Sequence, residues 1–311
     1  PYNDSNAKSL AKTQLENILN YSVANGDKYW APTLDEWRKQ WMPSTDYYNK
    51  YSIFAIQHRT NENRNYLIFN FSPGLPPSYT SRRIFGNSIW VEKTLEYEFE
   101  RTFSNGKKDG RGIGFTILEG YEEEPNYPAY TNDRENVILE DGTTVEVYTK
   151  TMFYKYLPSK PKLAELGMSF DESSMAGDYD WPVNFPILRL EDMMLLYAEL
   201  LADEGNVVEA MYYVNKIRER AGCDPETAST SADALRLIKR ERRVELAGEG
   251  IRWFDLVRYG EWQSAITRMF DNYNNPDGTD KSELKNGRYL YPIPLDQMNA
   301  VPGLYSQNEG Y

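Results

Sequence analysis

The chain has 311 residues, 40% of them apolar, enough to bury a core as one large domain or two ordinary ones. Its 47 acidic against 35 basic residues leave a formal charge of -12, which opposes a nucleic-acid partner because no basic cluster offsets it. Cys223 and His58 are the only cysteine and histidine, which excludes an internal disulfide and a multi-cysteine metal site and argues against a Cys/His catalytic pair, a His-ligated zinc site and a serine–histidine triad with spare partners.

No run approaches the roughly 18 consecutive apolar residues of a membrane-spanning helix. The sequence opens on Pro1, without a start methionine or a signal peptide, and reads as a processed or truncated piece. Residues 5–23 carry Leu15, Ile18 and Leu19 at helical spacing and end at Ala24-Asn25-Gly26-Asp27. The expected partner of this helix is either the segment around Leu34 to Trp41 or an element upstream of Pro1. Thr33 with Glu36 three residues on is a capping-box arrangement, and Trp37 and Trp41 then share a helix face, where packing against a neighbour is the expected role.

Residues 51–59 and 66–69 read as short strands, and the proline-rich segment 72–78 as a loop. From Gly86 to Tyr156 turn signals dominate, with a two-residue hairpin expected at Asp141-Gly142 and long loop elsewhere. Residues 121–130 set three tyrosines among three acids and two prolines, either a solvated loop covering the core edge or a rigid aromatic platform. Trp90, Tyr79 and Trp181 carry the same two readings, buried or displayed.

The most ordered signal lies in residues 186–259. Leu190, Met193, Met194, Tyr197 and Leu201 recur at helical spacing; after Gly205 and a candidate N-cap Asn206, Ala210, Met211, Val214, Ile217 and Ala221 repeat the pattern up to Gly222. The pair has the size of a tetratricopeptide hairpin, about 34 residues. A third helix is expected after Ser231 or Asp233, broken by Gly248 and Gly250. The acids here suggest the carboxylate pair of a glycosidase, but each has an arginine within reach, some of them three residues away as in Arg242 with Glu245 and Asp255 with Arg258, which lowers a carboxyl pKa and removes the proton donor such chemistry needs. Residues 271–280 are oxygen-rich but fail the EF-hand pattern at Tyr273 and Pro276 and read as a turn. Residues 289–294 read as extended.

Five ordered motifs carry a family resemblance. Residues 189–199 (RLEDMMLLYAE), 210–222 (AMYYVNKIRERAG), 241–258 (ERRVELAGEGIRWFDLVR), 289–294 (YLYPIP) and 307–311 (QNEGY, with Glu309 where the family has proline) resemble the SusD/RagB outer-membrane glycan-binding lipoproteins of Bacteroidetes. Residues 54–57 and 154–160 match more loosely, and 86–148 lie where family members diverge. The resemblance implies a single C-terminal SusD domain over 1–311: helical in 1–50, loop-rich and ligand-binding in 51–185, a helical repeat core in 186–260 and extended in 261–311. By the same resemblance, the family's lipid-bearing cysteine and first helices are expected to lie outside this sequence.

The expected fold is mainly α, with tetratricopeptide-like hairpins, long loops and a few short β-hairpins. The function the resemblance implies is non-enzymatic capture of oligosaccharides at the outer-membrane surface for import through a TonB-dependent transporter, with no cofactor. The signature motifs are scaffold motifs and transfer no binding residue. Aromatic faces stack on the apolar side of a pyranose and polar groups take its hydroxyls, so the expected site comprises Trp90, Tyr121, Tyr127, Tyr130 and Trp181, with Asn126 and Asp180 at the rim. A helical-repeat adaptor that binds a protein or peptide is the alternative; an enzyme would have to rest on Asp and Glu alone.

Overall fold

The computed structural model describes residues 5–43, 50–63, 65, 75–82, 90–126, 133–139, 141–148, 151–266 and 291–308. The strand expected at 66–69, the acidic turn 271–280 and residues 289–290 fall outside these. The chain divides into two compact units, Pro1–Glu249 and Gly250–Tyr311.

In the first unit α1, Ser5–Ala24, packs on a helix far along the chain, α5 (Leu190–Asp203), and not chiefly on the segment around Leu34 to Trp41. Leu15 and Leu19 enter the same core as Met194, Leu195 and Tyr197, and Tyr197 donates its hydroxyl proton to Glu16 Oε1 at 2.9 Å. α2, Leu34–Lys39, starts as its sequence requires: Thr33 Oγ1 accepts from Glu36 N at 3.2 Å. Trp37 and Trp41 are fully buried, their ring centroids 5.9 Å apart and edge to face.

The stretch read as long loop holds more structure than expected. α3, Lys93–Glu100, lies within it, capped by Glu92, and β2 (Ile117–Leu118) pairs with β5 (Met152–Phe153). Lys93 and Glu96 on α3 are buried beside Leu95 and Phe99, so its inner face is partly polar and its apolar stripe is short. β3, Arg134–Ile138, and β4, Thr144–Tyr148, form the expected hairpin, with Gly142 at φ 83°. Its closing hydrogen bond runs from Leu139 N to Thr143 O at 2.8 Å, a wider turn than the two-residue one expected. α4, Lys160–Glu165, and a 3-10 turn, Glu172–Ser174, follow. β1, Ser52–Ile56, pairs antiparallel with β6, Phe185–Arg189, which runs directly into the helical half.

The hairpin forms where the periodicity places it: α5, Leu190–Asp203, then α6, Val207–Ala221, closed by Gly222 at φ 78°. Asn206 occupies the N-cap position of α6, but its side chain caps nothing. α7, Ser231–Glu245, is capped by Thr230, whose Oγ1 accepts from Asp233 N at 3.1 Å, not by Ser231 or Asp233. Helices α1, α5, α6 and α7 share one apolar core; α2, Phe115, residues 152–157 and Trp181 build a second.

Between these cores lies a buried ion network. Glu245 Oε1 accepts from Trp37 Nε1 at 2.9 Å, from Arg220 at 2.8 Å and from Arg189 at 3.1 Å, while its Oε2 accepts from Arg111 at 2.7 Å. Arg111 also holds Asp109 and Glu241, Arg189 holds Glu191 and Glu249, and Lys155 reaches Glu249 Oε1 at 2.6 Å. The acids of 241–249 are thus ion-paired, but through partners distant in sequence: Arg242 binds Asp192 at 2.7 Å, where the spacing suggested Glu245. Burial alone would raise the Glu245 carboxyl; the guanidinium groups of Arg220, Arg189 and Arg111 outweigh it and hold the group far below the carboxylate range.

In the second unit α8, Arg252–Tyr259, ends at Gly260, and Asp255 pairs with Arg258 at 2.9 Å, as the spacing suggests. Residues 291–294 have no regular structure and lead into α9, Leu295–Ala300, which the sequence reading does not contain. Among the described residues no helix is long and apolar enough to cross a membrane.

Candidate functional site

A shallow groove of about 720 Å³ opens on the first unit between the segment at 81–82, the start of α4 and the 3-10 turn. Asp171 caps that turn, accepting from Ser173 N at 2.9 Å, and these hydrogen bonds hold its carboxyl below the usual range. Arg82 ties down the other end, donating through Nε to Glu172 O at 2.9 Å and through a terminal nitrogen to Met175 O at 2.8 Å. The Glu172 carboxylate turns inward and accepts from Ser81 N at 2.5 Å and Thr80 Oγ1 at 3.2 Å. The walls are therefore fixed by their own hydrogen bonds, while Asp171 and Ser173 stay exposed and Asp178 half-exposed.

Phe170 supplies the apolar surface. It is half-buried and lies 5.7 Å, centroid to centroid, from the ring of Trp181, which is buried completely and donates Nε1 to the Asp178 carbonyl at 3.1 Å. Lys160 connects the groove to a second aromatic surface: its backbone N donates to Tyr79 O at 2.8 Å and its Nζ to Pro77 O at 2.7 Å. Tyr79 is half-buried and meets Tyr121 at 6.2 Å and Tyr154 at 6.1 Å. Burial first, and then the charges of Glu124 and Glu122, push the Tyr79 hydroxyl up, so it stays protonated and able to donate. Glu124 Oε2 accepts from Ser78 N at 3.3 Å and brings the tyrosine-rich loop against this surface.

The residues expected from sequence separate. Tyr121 joins Tyr79 on the aromatic surface. Trp90 is half-buried against the second core, bridged to Met152, and Asn126 is exposed in the left-handed conformation, φ 69°. Tyr127 and Tyr130 lie outside the described residues. Trp181 and Asp180 are interior: Trp181 offers no face for stacking, and Asp180 Oδ2 accepts from Asn61 N at 2.6 Å, which spends it on loop closure. Trp181 packs against Phe170 from the interior. Sequence pattern does not single out Phe170, Arg82 and Lys160; the local signal is an aromatic directly before the capped turn Asp171-Glu172-Ser173. Flat apolar rings with carboxylates, hydroxyls and cations at their rim form a surface for a neutral, hydroxyl-rich ligand.

The model of the SusD family matches residues 34–311. A SusD-like protein P38 of Formosa agariphila is 32% identical over 143 residues, 42% of this chain and 28% of that protein. Among solved structures, a SusD superfamily protein of Parabacteroides distasonis is 19% identical with a TM-score of 0.63, covering 98% of this chain and 58% of its own. Surface glycan-binding protein A of Bacteroides thetaiotaomicron, solved with laminarihexaose, is 19% identical with a TM-score of 0.62, covering 98% and 61%. These likenesses establish the fold, and the chain spans about three fifths of the solved neighbours' length.

Proposed function

This chain belongs to the SusD family, and we propose that it is the glycan-holding part of a cell-surface protein that captures oligosaccharides for import. The sugar lies along the groove, with one pyranose face on Phe170 and a second on the Tyr79–Tyr121 surface. Asp171, Ser173, Asp178 and the cations Arg82 and Lys160 take hydroxyl groups at the rim. The observation that carries this reading is the pair of aromatic surfaces joined through Lys160, because partly exposed rings at the end of a hydrogen-bonded wall are preorganised for stacking and lose little side-chain entropy on binding.

The relatives support the ligand class: the Bacteroides thetaiotaomicron neighbour carries laminarihexaose and another solved neighbour is named a laminarin-binding SusD-like protein. Delivery to a TonB-dependent transporter, an outer-membrane location through a lipid anchor and the absence of catalysis belong to the same proposal. Calorimetry or affinity electrophoresis on a panel of glycans, laminarin oligosaccharides included, tests it. Saturable binding that weakens when Phe170 and Tyr121 are replaced by Ala is the expected result. No binding to any glycan, or binding indifferent to both substitutions, overturns it, and capture of a transporter without glycan affinity would favour the adaptor reading instead.

A further inference from the structure

Away from the groove, three acids converge on one point. Glu96 and Glu100 stand one turn apart on the same face of α3, and Glu119, directly after β2, comes against them. One carboxylate oxygen of each lies within 4.8 Å of those of the other two. Glu96 is fully buried, and neither of its carboxylate oxygens has a well-formed hydrogen bond, the Tyr148 backbone N–H being the one donor beside it; Glu119 Oε1 is also buried without a partner. A buried carboxylate short of donors is costly, and a proton or a cation relieves that cost. The two basic side chains nearby attach to Glu100: Arg134 at 2.9 Å and Lys108 at 3.5 Å. They are 34% and 45% exposed and approach from the solvent side, and neither supplies the missing partner of Glu96.

We propose that Glu96, Glu100 and Glu119 form a binding site for a hard divalent cation of the calcium class, which fastens α3 to β2. The donor set is all carboxylate oxygen, the choice of calcium, magnesium or manganese rather than of zinc or copper. Oxygens on opposite sides of a calcium ion stand about 4.8 Å apart, twice a Ca–O distance of about 2.4 Å, so three oxygens within 4.8 Å of one another fit within one coordination sphere. The consequence is structural: α3 packs Leu95 and Phe99 against Ile117 of β2, and the ion would lock that same contact.

The test is calorimetric titration of the EDTA-stripped chain with calcium, and separately with magnesium and manganese, alongside thermal unfolding. Saturable binding and a rise in Tm of several degrees at saturation are expected, because the ion binds the folded state alone. Glu96→Gln keeps side-chain volume and should abolish both effects; Glu119→Gln should weaken binding at least about tenfold. Glu123→Gln, in the exposed tyrosine-rich loop, should change neither. No heat and no shift up to about 10 mM of any of the three ions, beyond the range of the weakest protein calcium sites, would overturn the assignment. So would a shift that survives in both Glu96→Gln and Glu119→Gln.

Discussion

Trp37 donates its indole proton to Glu245 Oε1 across 2.9 Å, between a short helix near the start of the described chain and the last turn of α7. Trp41, equally buried, has no acceptor for its own Nε1. The two rings thus differ in one hydrogen bond to a charged group. Trp37→Phe should cost more stability than Trp41→Phe by about 1.5–3 kcal/mol, the worth of such a bond. Urea unfolding of the two variants measures the difference, and equal losses would show that the Trp37 bond contributes nothing net.

The Glu245 carboxyl titrates lower in the folded chain than in the unfolded one, where a glutamate has a pKa of about 4.3. Its contribution to stability is therefore complete above that value and is lost as the pH falls toward the folded pKa. The unfolding midpoint should drop steeply below about pH 4. Glu245→Gln should lose about 3–5 kcal/mol at neutral pH by leaving three guanidinium groups short of a partner, and should flatten the acid limb. A variant with the same acid slope as the parent would place the pH sensitivity elsewhere.

Gly112 is buried, and a Cβ there would stand 2.6–2.7 Å from Cβ, Cγ and Cδ1 of Phe99. Phe99 is itself fully buried on α3 and cannot swing away. Gly112→Ala should cost about 1–3 kcal/mol or more through overpacking. Phe99→Leu in the same chain should return part of that loss, which a double-mutant cycle by chemical denaturation would read.

Phe170 and Trp181 touch, yet the proposed site assigns them different tasks. Phe170→Ala should weaken glycan binding by about tenfold, in the range of a truncated aromatic anchor, while leaving the far-ultraviolet circular dichroism unchanged. Trp181→Ala empties a fully buried position and should cost about 3–5 kcal/mol in stability. Calorimetry and thermal unfolding on both variants separate the two roles, and an affinity loss without a stability loss at Trp181 would reverse them.

What the sequence discloses follows the range of the interaction. The α5–α6 hairpin and the Thr33 cap are legible because apolar period, Gly222 and a capping hydroxyl lie within a few residues of one another. α3 is hidden because Lys93 and Glu96 occupy its buried face, where Lys93 pairs with Glu135 of the hairpin, and no local pattern announces such a partner. The charge spacing of residues 241–258 shows that ion pairs form but not which, since Arg242 selects Asp192 and Glu245 selects Arg111, Arg189 and Arg220. Aromatic content likewise points to a ring-lined surface without saying which rings turn outward. Trp181 is enclosed and Phe170 only half-buried because of how residues 170–181 fold back, a tertiary fact.

The ion network also bears on modularity. The change of composition near residue 186 suggests a place to cut, with a self-contained helical repeat beyond it. Yet Glu241, Glu245 and Glu249 draw Arg111 and Lys155 from before that boundary, and a fragment starting at 186 would keep the acids and lose those cations. Such a fragment should be an expanded, poorly packed chain despite its helical periodicity. The helical half and the loops ahead of it are one inheritance, and transplanting either into another scaffold means carrying the charged seam between them.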